Sequence, residues 1–278
     1  MGNPQGRLRM TAVVELTDRQ KREKEYYDQY AGSFDLNREV DFSPVVAKEK
    51  RPWNSYWSVY HLAAENFKPN ALLLDFGSGP GDNALRFAKI GYKVEGFDIS
   101  ESNVAVSHMV FEKNGFAGQG NFQVSPAETL PYPDNHFDFI AGIDILHHID
   151  IAKSIAECRR VLKPGGIAIF REPLEVPLLD LIRNTWLVKL FAPKKKSFEL
   201  HITEDERKLN QTDIAVVGQI FPNQILKRYF LLARFDKFLR EGSDPQPSFL
   251  EKIDHFLMTK IPALKYLGGV VIFVLKKD

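Results

Sequence analysis

Hydrophobic and polar positions change their rhythm near residue 70. Before that point the chain shows helical spacing and no strand signal. Residues 1–17 have little periodicity and are expected to stay loose. A charged helix is expected over 18–31, carrying Tyr26, Tyr27 and Tyr30. Ser43-Pro44 reads as a helix cap with Pro in the first turn. That helix should break near Pro52, and another should run over 54–67. After residue 70, short apolar runs alternate with amphipathic stretches, the pattern of a parallel α/β sheet. Strands are expected over 71–76, 92–98, 121–124, 137–143 and 167–171. A helix over 82–90 stops at Gly91, and a second runs from a Ser100 cap to Asn114-Gly115. A third follows Asp150, with Ile151, Ile155, Cys158 and Leu162 sharing one face.

Beyond Pro173 the alternation lapses. An amphipathic helix is expected over 176–191, followed by Lys194-Lys195-Lys196. Thr203 and Glu206 match a capping box that opens another helix. A strand pattern returns over 226–235, then a helix over 247–261 and a last strand over 269–275. The expected organisation is an N-terminal helical cap over 1–70 and an α/β core over 71–278. Within the core, 173–222 reads as a helical insertion, the acceptor lid. There is no internal repeat.

Composition narrows the classes. Hydrophobic residues make up 44% of the 278 and charged residues 26%, enough for an ordinary buried core. A net charge of +1 gives no global reason to expect nucleic acid. One cysteine, Cys158, excludes an internal disulfide framework and a cysteine-rich metal site. There is no apolar leader at the N-terminus and no run of eighteen apolar residues. Met1-Gly2 is followed by Gly6 where a myristoylation signal wants Ser or Thr. The expectation is a cytoplasmic protein without a membrane span.

The chemistry sits in Leu72-Leu-Leu-Asp75-Phe-Gly77-Ser78-Gly79-Pro-Gly81-Asp82. A strand ends in an acid, three alternate glycines follow, and a helix begins. Asp98 lies 23 residues beyond Asp75, at the end of the next strand. Strand, glycine turn, helix, strand and terminal acid form half of a nucleotide-binding sheet. A dinucleotide fingerprint needs a small residue three after the second glycine, and Asp82 stands there instead. An acid at the helix N-terminus disfavours a pyrophosphate. The turn suits a nucleoside without phosphates, such as S-adenosylmethionine, and equally it is simply a tight turn with Asp98 capping the next helix.

Later segments carry a resemblance. Phe122-Gln-Val-Ser125-Pro126-Ala127-Glu128, Leu130-Pro131-Tyr-Pro133-Asp134-Asn-His-Phe137-Asp138, Ile145-Leu146-His147-His148-Ile149 and Arg159-Arg160-Val-Leu162-Lys163-Pro164-Gly165-Gly166 occur in order over about 70–172. With the glycine turn, this set resembles class I S-adenosylmethionine-dependent methyltransferases of the bacterial small-molecule type. The resemblance implies a Rossmann-like, seven-stranded, mostly parallel sheet with helices on both faces and an antiparallel last strand. It implies that Asp75, Gly77, Ser78, Gly79 and Gly81 form the cofactor loop. Asp98 would hold the ribose, Ile99 an adenine face and the Ala127 N–H the adenine edge. Ile143, ending strand four, and Tyr30, on the N-terminal helix, join the expected cofactor contacts. Many members place an Asp where Pro126 stands, so Glu128 is the expected replacement acceptor for the adenine amino group, with Ser125 or water as alternatives.

Methyl transfer from a sulfonium needs orientation first, and a base only when the acceptor has a proton to lose. His147 is the candidate base and Asp144 a candidate orienting acid, with His148 behind them. Both histidines equally suit packing and hydrogen bonding. Trp53, Tyr56, Trp57 and Tyr60 either wall the site or dock helices. Arg171, Glu172, Trp186 and His201 lie where acceptor recognition is expected. The 176–191 stretch reads as a packed helix, an acceptor lid, or a surface helix making peripheral lipid contact. The sequence therefore points to methyl transfer to a small-molecule acceptor, with the histidine pair tilting toward O-methylation. The alternatives are transfer of another group from the same donor, or a non-catalytic cofactor-binding protein.

Overall fold

The computed structural model describes residues 15–177, 207–235 and 249–278. Seven strands form one sheet in the order β3-β2-β1-β4-β5-β7-β6. They are β1 (Leu72–Phe76), β2 (Lys93–Asp98), β3 (Gly120–Val124), β4 (Phe137–Ile143), β5 (Leu162–Pro173), β6 (Gln224–Tyr229) and β7 (Val270–Lys276). The last strand runs antiparallel to both β5 and β6, and the remaining pairs are parallel. The chain winds outward from β1 to β3 and then returns to place β4 on the other side of β1. That reversal is a switch point, and ligands of such sheets bind at the carboxyl ends of the strands beside it.

The helices are α1 (Asp18–Gly32), α2 (Ser43–Val46), α3 (Ser55–Glu65), α4 (Asp82–Ile90), α5 (Glu101–Lys113), α6 (Ile151–Val161), α7 (Gln211–Ile220) and α8 (Phe249–Lys260). One core face joins α6 and α7 to the sheet, and Ile155, Cys158 and Leu162 are fully buried in it. The other packs α3, α4 and α5, burying Val59, Tyr60, Leu85 and Phe87. At the centre, Phe76 meets Phe97 and Phe170 edge to face at 4.8 and 5.3 Å. Such ring pairs are worth roughly 0.5–1.5 kcal/mol each beyond their burial.

The helix opened by Ser43-Pro44 ends at Val46, well short of Pro52. Two strand limits also depart from the expectation, each for a tertiary reason. The fifth strand begins at Leu162, because Leu162 pairs with Phe137 before a register shift opposite Phe137 and Phe139. The sixth stops at Tyr229. Phe230 turns the chain with φ +63°. The Leu231, Leu232 and Ala233 N–H groups then donate to the Asp254 carboxylate instead of to a strand, at 2.8, 2.7 and 2.9 Å. A 3-10 turn over Leu146–His148 follows β4, with no sequence signal of its own. All but the first two residues of the expected helix over 176–191, the lysine run, the Thr203 capping box, Trp186 and His201 lie outside the described residues, as does most of the insertion expected over 173–222. No described helix is long and apolar enough to cross a membrane.

Candidate cofactor and active site

The glycine turn closes on itself through backbone bonds. Ser78 N–H donates to Phe97 O (2.8 Å) and Gly81 N–H to Ser78 O (3.0 Å). Gly81 has φ +91°, and a Cβ there would meet the Ser107 backbone at 3.0 Å, so this glycine lets α4 and α5 approach. Gly79 differs: its φ is +50°, and a Cβ would find nothing within 4 Å. The backbone there is bare toward open space, a cradle for a ligand. Asp98 braces the turn. One of its oxygens, Oδ2, accepts from Gly79 N–H (2.9 Å), while Oδ1 accepts from Ser100 N–H (2.9 Å) and Asn103 Nδ2 (3.2 Å). Burial pushes the Asp98 carboxyl above its ordinary range, although those three donors oppose it.

Above the turn lies a cleft of about 230 Å³. Gly77, Ser78, Gly79, Asp98, Ile99, Ala127, Glu128, Ile143 and Asp144 all line it. Sequence reasoning names these nine positions from four separate segments. Asp75, Gly81, Tyr30 and His147 do not line it. Asp75 is buried beneath the turn, 1% exposed. Its Oδ2 has no hydrogen-bond partner. Burial pushes its carboxyl up to about 8, against the Ala84 N–H and with the charge of Asp98. Tyr30 is 41% exposed, its ring edge-on to that of Tyr27 at 6.5 Å.

The described lining carries four carboxylates, Glu23, Asp98, Glu128 and Asp144, and no Lys or Arg. A cleft of that sign favours a cation and disfavours a pyrophosphate. Asp82, on which the sequence argument against a pyrophosphate rests, is ion-paired with Arg38. The field against phosphate therefore comes from the cleft walls. Asp144 is held at φ +55° and accepts from Arg171 Nη1 with both oxygens at 2.6 Å, while Arg171 Nε donates to Ser55 (3.0 Å).

The histidines divide their work. Glu172, fully buried on β5, accepts from Ile145 N–H and Leu146 N–H at 2.8 Å each. Its other oxygen lies 2.7 Å from His147 Nδ1. This buried acid ties the 3-10 turn to the sheet, so His147, expected as the base, is held away from the cleft. His148 lines the cleft instead. Its Nε2 lies 3.2 Å from Tyr27 Oη, and its Nδ1 lies 3.4 Å from Glu23 Oε2. Both partners come from α1, and both also line the cleft.

Helix α1 covers the site. Gln20 Nε2 donates to Glu128 Oε2 (2.7 Å), and Glu128 Oε1 accepts from Asp150 N–H (3.0 Å). Both Glu128 oxygens are therefore engaged in holding α1 and the start of α6. At the other end of the helix, Asp28 accepts from Ser100 Oγ (2.6 Å) and Ser102 N–H (3.2 Å) at the N-terminus of α5. Gln20, Glu23 and Tyr27 escape the sequence reading of the site, but their signal is present. Positions 20, 23, 27 and 31 form one helical stripe, and Glu23 and Ala31 are buried. The spacing of Tyr26 and Tyr30 draws attention to a neighbouring stripe. Tyr56 and Tyr60 both donate to Asn83 Oδ1 at 2.7 Å, so they dock α3 on α4 and do not line the cleft.

The residues fit S-adenosylmethionine. An acid-lined cleft suits its net positive charge, the Gly79 backbone without a side chain admits close approach, and the buried Asp75 Oδ2 and Ser78 Oγ are polar atoms without partners beneath it.

The comparisons with known proteins agree. Residues 74–170 match the family model of a methyltransferase domain. A ubiquinone/menaquinone biosynthesis C-methyltransferase of Hydrogenovibrio crunogenus is 29% identical over 231 residues, covering 81% of this chain and 85% of that protein. One of Shewanella piezotolerans is 33% identical over 153 residues, covering 54% of this chain and 60% of that protein. The chain thus spans between 60% and 85% of these relatives' own length. Among solved structures, a geranyl diphosphate C-methyltransferase from Streptomyces coelicolor has a TM-score of 0.59 at 12% identity, covering 95% of this chain and 100% of that one. The cyclase SpnF has a TM-score of 0.56 at 18% identity, covering 96% and 99%. At these identities the structures speak to the fold alone.

Fold and site define a Rossmann-like enzyme for a cationic nucleoside. The chain carries the domain of a class I S-adenosylmethionine-dependent methyltransferase, an enzyme class whose cofactor is S-adenosylmethionine.

Proposed function

We propose that the chain transfers a methyl group from S-adenosylmethionine to a ring carbon of a small hydroxylated aromatic acceptor. The observation that carries this reading is the joining of an acid-lined cofactor cleft to a Tyr27–His148 hydrogen-bond relay at its wall, with the Glu23 carboxylate 3.4 Å from the ring's other nitrogen as a charge neighbour. Bound S-adenosylmethionine supplies an electrophilic methyl group on a sulfonium. Gly79 and Asp98 would hold the ribose side, Ile99 and Ala127 the adenine side, and Asp75 would face the ammonium end through the turn.

The relay handles the proton. Tyr27 Oη passes the acceptor's hydroxyl proton to His148 Nε2, and Glu23 beside Nδ1 steadies the imidazolium that forms. Removing that proton raises electron density at both the oxygen and the ortho carbon of the ring. Which atom receives the methyl is then decided by alignment in the cleft. At carbon, the new C–C bond replaces the methyl–sulfur bond, the ring C–H proton is released to solvent, and the proton held on His148 returns through Tyr27 to restore the hydroxyl. The preference for O-methylation drawn from the histidine pair finds no support among the relatives, which are C-methyltransferases by name. Their names favour carbon as the acceptor atom, and a ring of the quinol-precursor kind as the acceptor.

The test is incubation with methyl-labelled S-adenosylmethionine and a panel of hydroxylated aromatic compounds, with products located by carbon NMR. Label on a ring carbon supports the proposal. Label only on oxygen or nitrogen overturns the choice of atom, and binding of the cofactor without transfer to any acceptor overturns the class of acceptor.

A further inference from the structure

A second concavity shares no residue with the cofactor cleft. It lies between α3, β6 and α8 and has a volume of about 480 Å³. Trp53, Leu62 and Met258 supply apolar wall, and Ile225 stands at its edge strand with 60% of its surface exposed. The charges do not balance. Glu65 is paired with Lys50 at 3.6 Å. Asp254 is occupied by the three N–H groups of Leu231, Leu232 and Ala233. Lys227, Arg228 and Lys265 remain, and no described carboxylate pairs with any of them.

Two further features point to a ligand. The indole Nε1 of Trp53 is buried without a hydrogen-bond partner, and an unmatched buried donor costs free energy until something accepts from it. Arg228 is half withdrawn from water, and burial lowers its affinity for its proton; its guanidinium lies 5.8 Å from the Tyr266 ring, and among the described residues no carboxylate is paired with it. Unmatched cations beside an apolar wall call for an anion that also carries hydrocarbon. Lysines act as point charges and suit a phosphate head without demanding planar geometry.

We propose that this groove is a binding site for an amphiphilic phosphate, with an acyl or aryl body against Trp53, Leu62 and Met258 and the phosphate beside Lys227 and Lys265. The site is independent of methyl transfer, since neither the cofactor nor the relay residues line it. Its ligand class is shared by a lipid headgroup and by a soluble phosphorylated compound, and the assay separates them.

The experiment is calorimetric titration of the full chain with monomeric dodecyl phosphate, inorganic phosphate, dodecyl maltoside, and vesicles containing phosphatidic acid. The expected result is saturable binding of one dodecyl phosphate per chain, with inorganic phosphate weaker on the order of tenfold or more and dodecyl maltoside inert. Binding of the vesicles assigns the phosphate to a lipid source, and their failure to bind assigns it to a soluble compound. Lys227→Glu with Lys265→Glu, both exposed positions, should weaken dodecyl phosphate on the order of tenfold and leave S-adenosylhomocysteine binding intact. Wild-type affinity in the double variant overturns the proposal. So does displacement of dodecyl phosphate by S-adenosylhomocysteine, or equal binding of dodecyl maltoside.

Discussion

Replacing Asp75 with asparagine should stabilise the protein, by an amount that grows with pH. The carboxyl lies fully buried under the glycine turn, its Oδ2 has no partner, and burial raises it to about 8 from an ordinary value of 3.8. In the unfolded chain the group ionises near the ordinary value, whereas in the folded chain it keeps its proton up to about 8. Stability is therefore greatest below the unfolded value, falls as pH rises between the two, and levels off above the folded one. The interval is roughly four pH units, so at about 1.36 kcal/mol per unit the ceiling is about 6 kcal/mol. Local relaxation and water penetration lower this, and about 3 kcal/mol is a realistic expectation. In the Asp75→Asn variant the side-chain amide oxygen can still accept from Ala84 N–H. Its NH₂ group is left as a buried unmatched donor, as the hydroxyl of the protonated acid is. At low pH the two proteins should thus be nearly equal. Urea unfolding at intervals from about pH 4 to about pH 9 measures the difference directly. A gap that opens toward high pH supports the argument, and parallel curves across the range would refute it.

The remaining predictions concern the cleft and its cover. His148→Ala should lower turnover by about 10²- to 10⁴-fold with cofactor affinity retained, measured by steady-state transfer beside calorimetry. His147→Ala should instead lower stability by about 1–3 kcal/mol in denaturant unfolding, because it strips a partner from buried Glu172. Gly79→Ala should weaken cofactor binding, since it adds about 1 kcal/mol of left-handed strain and places a methyl group in open space needed by the ligand. Burial pushes Asp28 up, but the Lys24 ammonium, Ser100 hydroxyl and Ser102 N–H outweigh it and hold the carboxyl at about 2. That contribution is present above the ordinary carboxylate value and is lost as pH falls through about 2. Asp28→Asn should reproduce the acid effect at neutral pH, read as faster amide exchange in α1.

The sheet was legible because the apolar runs are short, bounded by Gly and Pro, and spaced for crossover helices. The helix over 82–90 and the strand over 137–143 match their observed limits for that reason. The sixth strand reads too long because Leu231–Ala233 is apolar enough for a strand. Asp254, some twenty residues later, captures its N–H groups instead. In the site, the glycines of the turn and Asp98 stand out by their spacing, while their assignment to a cofactor loop rests on the resemblance of the later segments. Residues chosen by contact do not stand out. Adjacent His147 and His148 look equivalent in a sequence, and only buried Glu172 decides which one meets the cleft. Pro126 raises the question of what accepts from the adenine. Glu128 lines the cleft as expected, yet its oxygens hold Gln20 and Asp150, a use no local pattern could disclose.

The acid-lined cleft above Gly79 and Asp98 fits S-adenosylmethionine. Calorimetry of the wild-type chain and of Asp98→Ala with S-adenosylmethionine and S-adenosylhomocysteine tests this fit most directly. The wild-type protein should bind both compounds one to one, and the variant should bind both clearly more weakly. Absence of binding, or equal affinity in the two proteins, would contradict the fit.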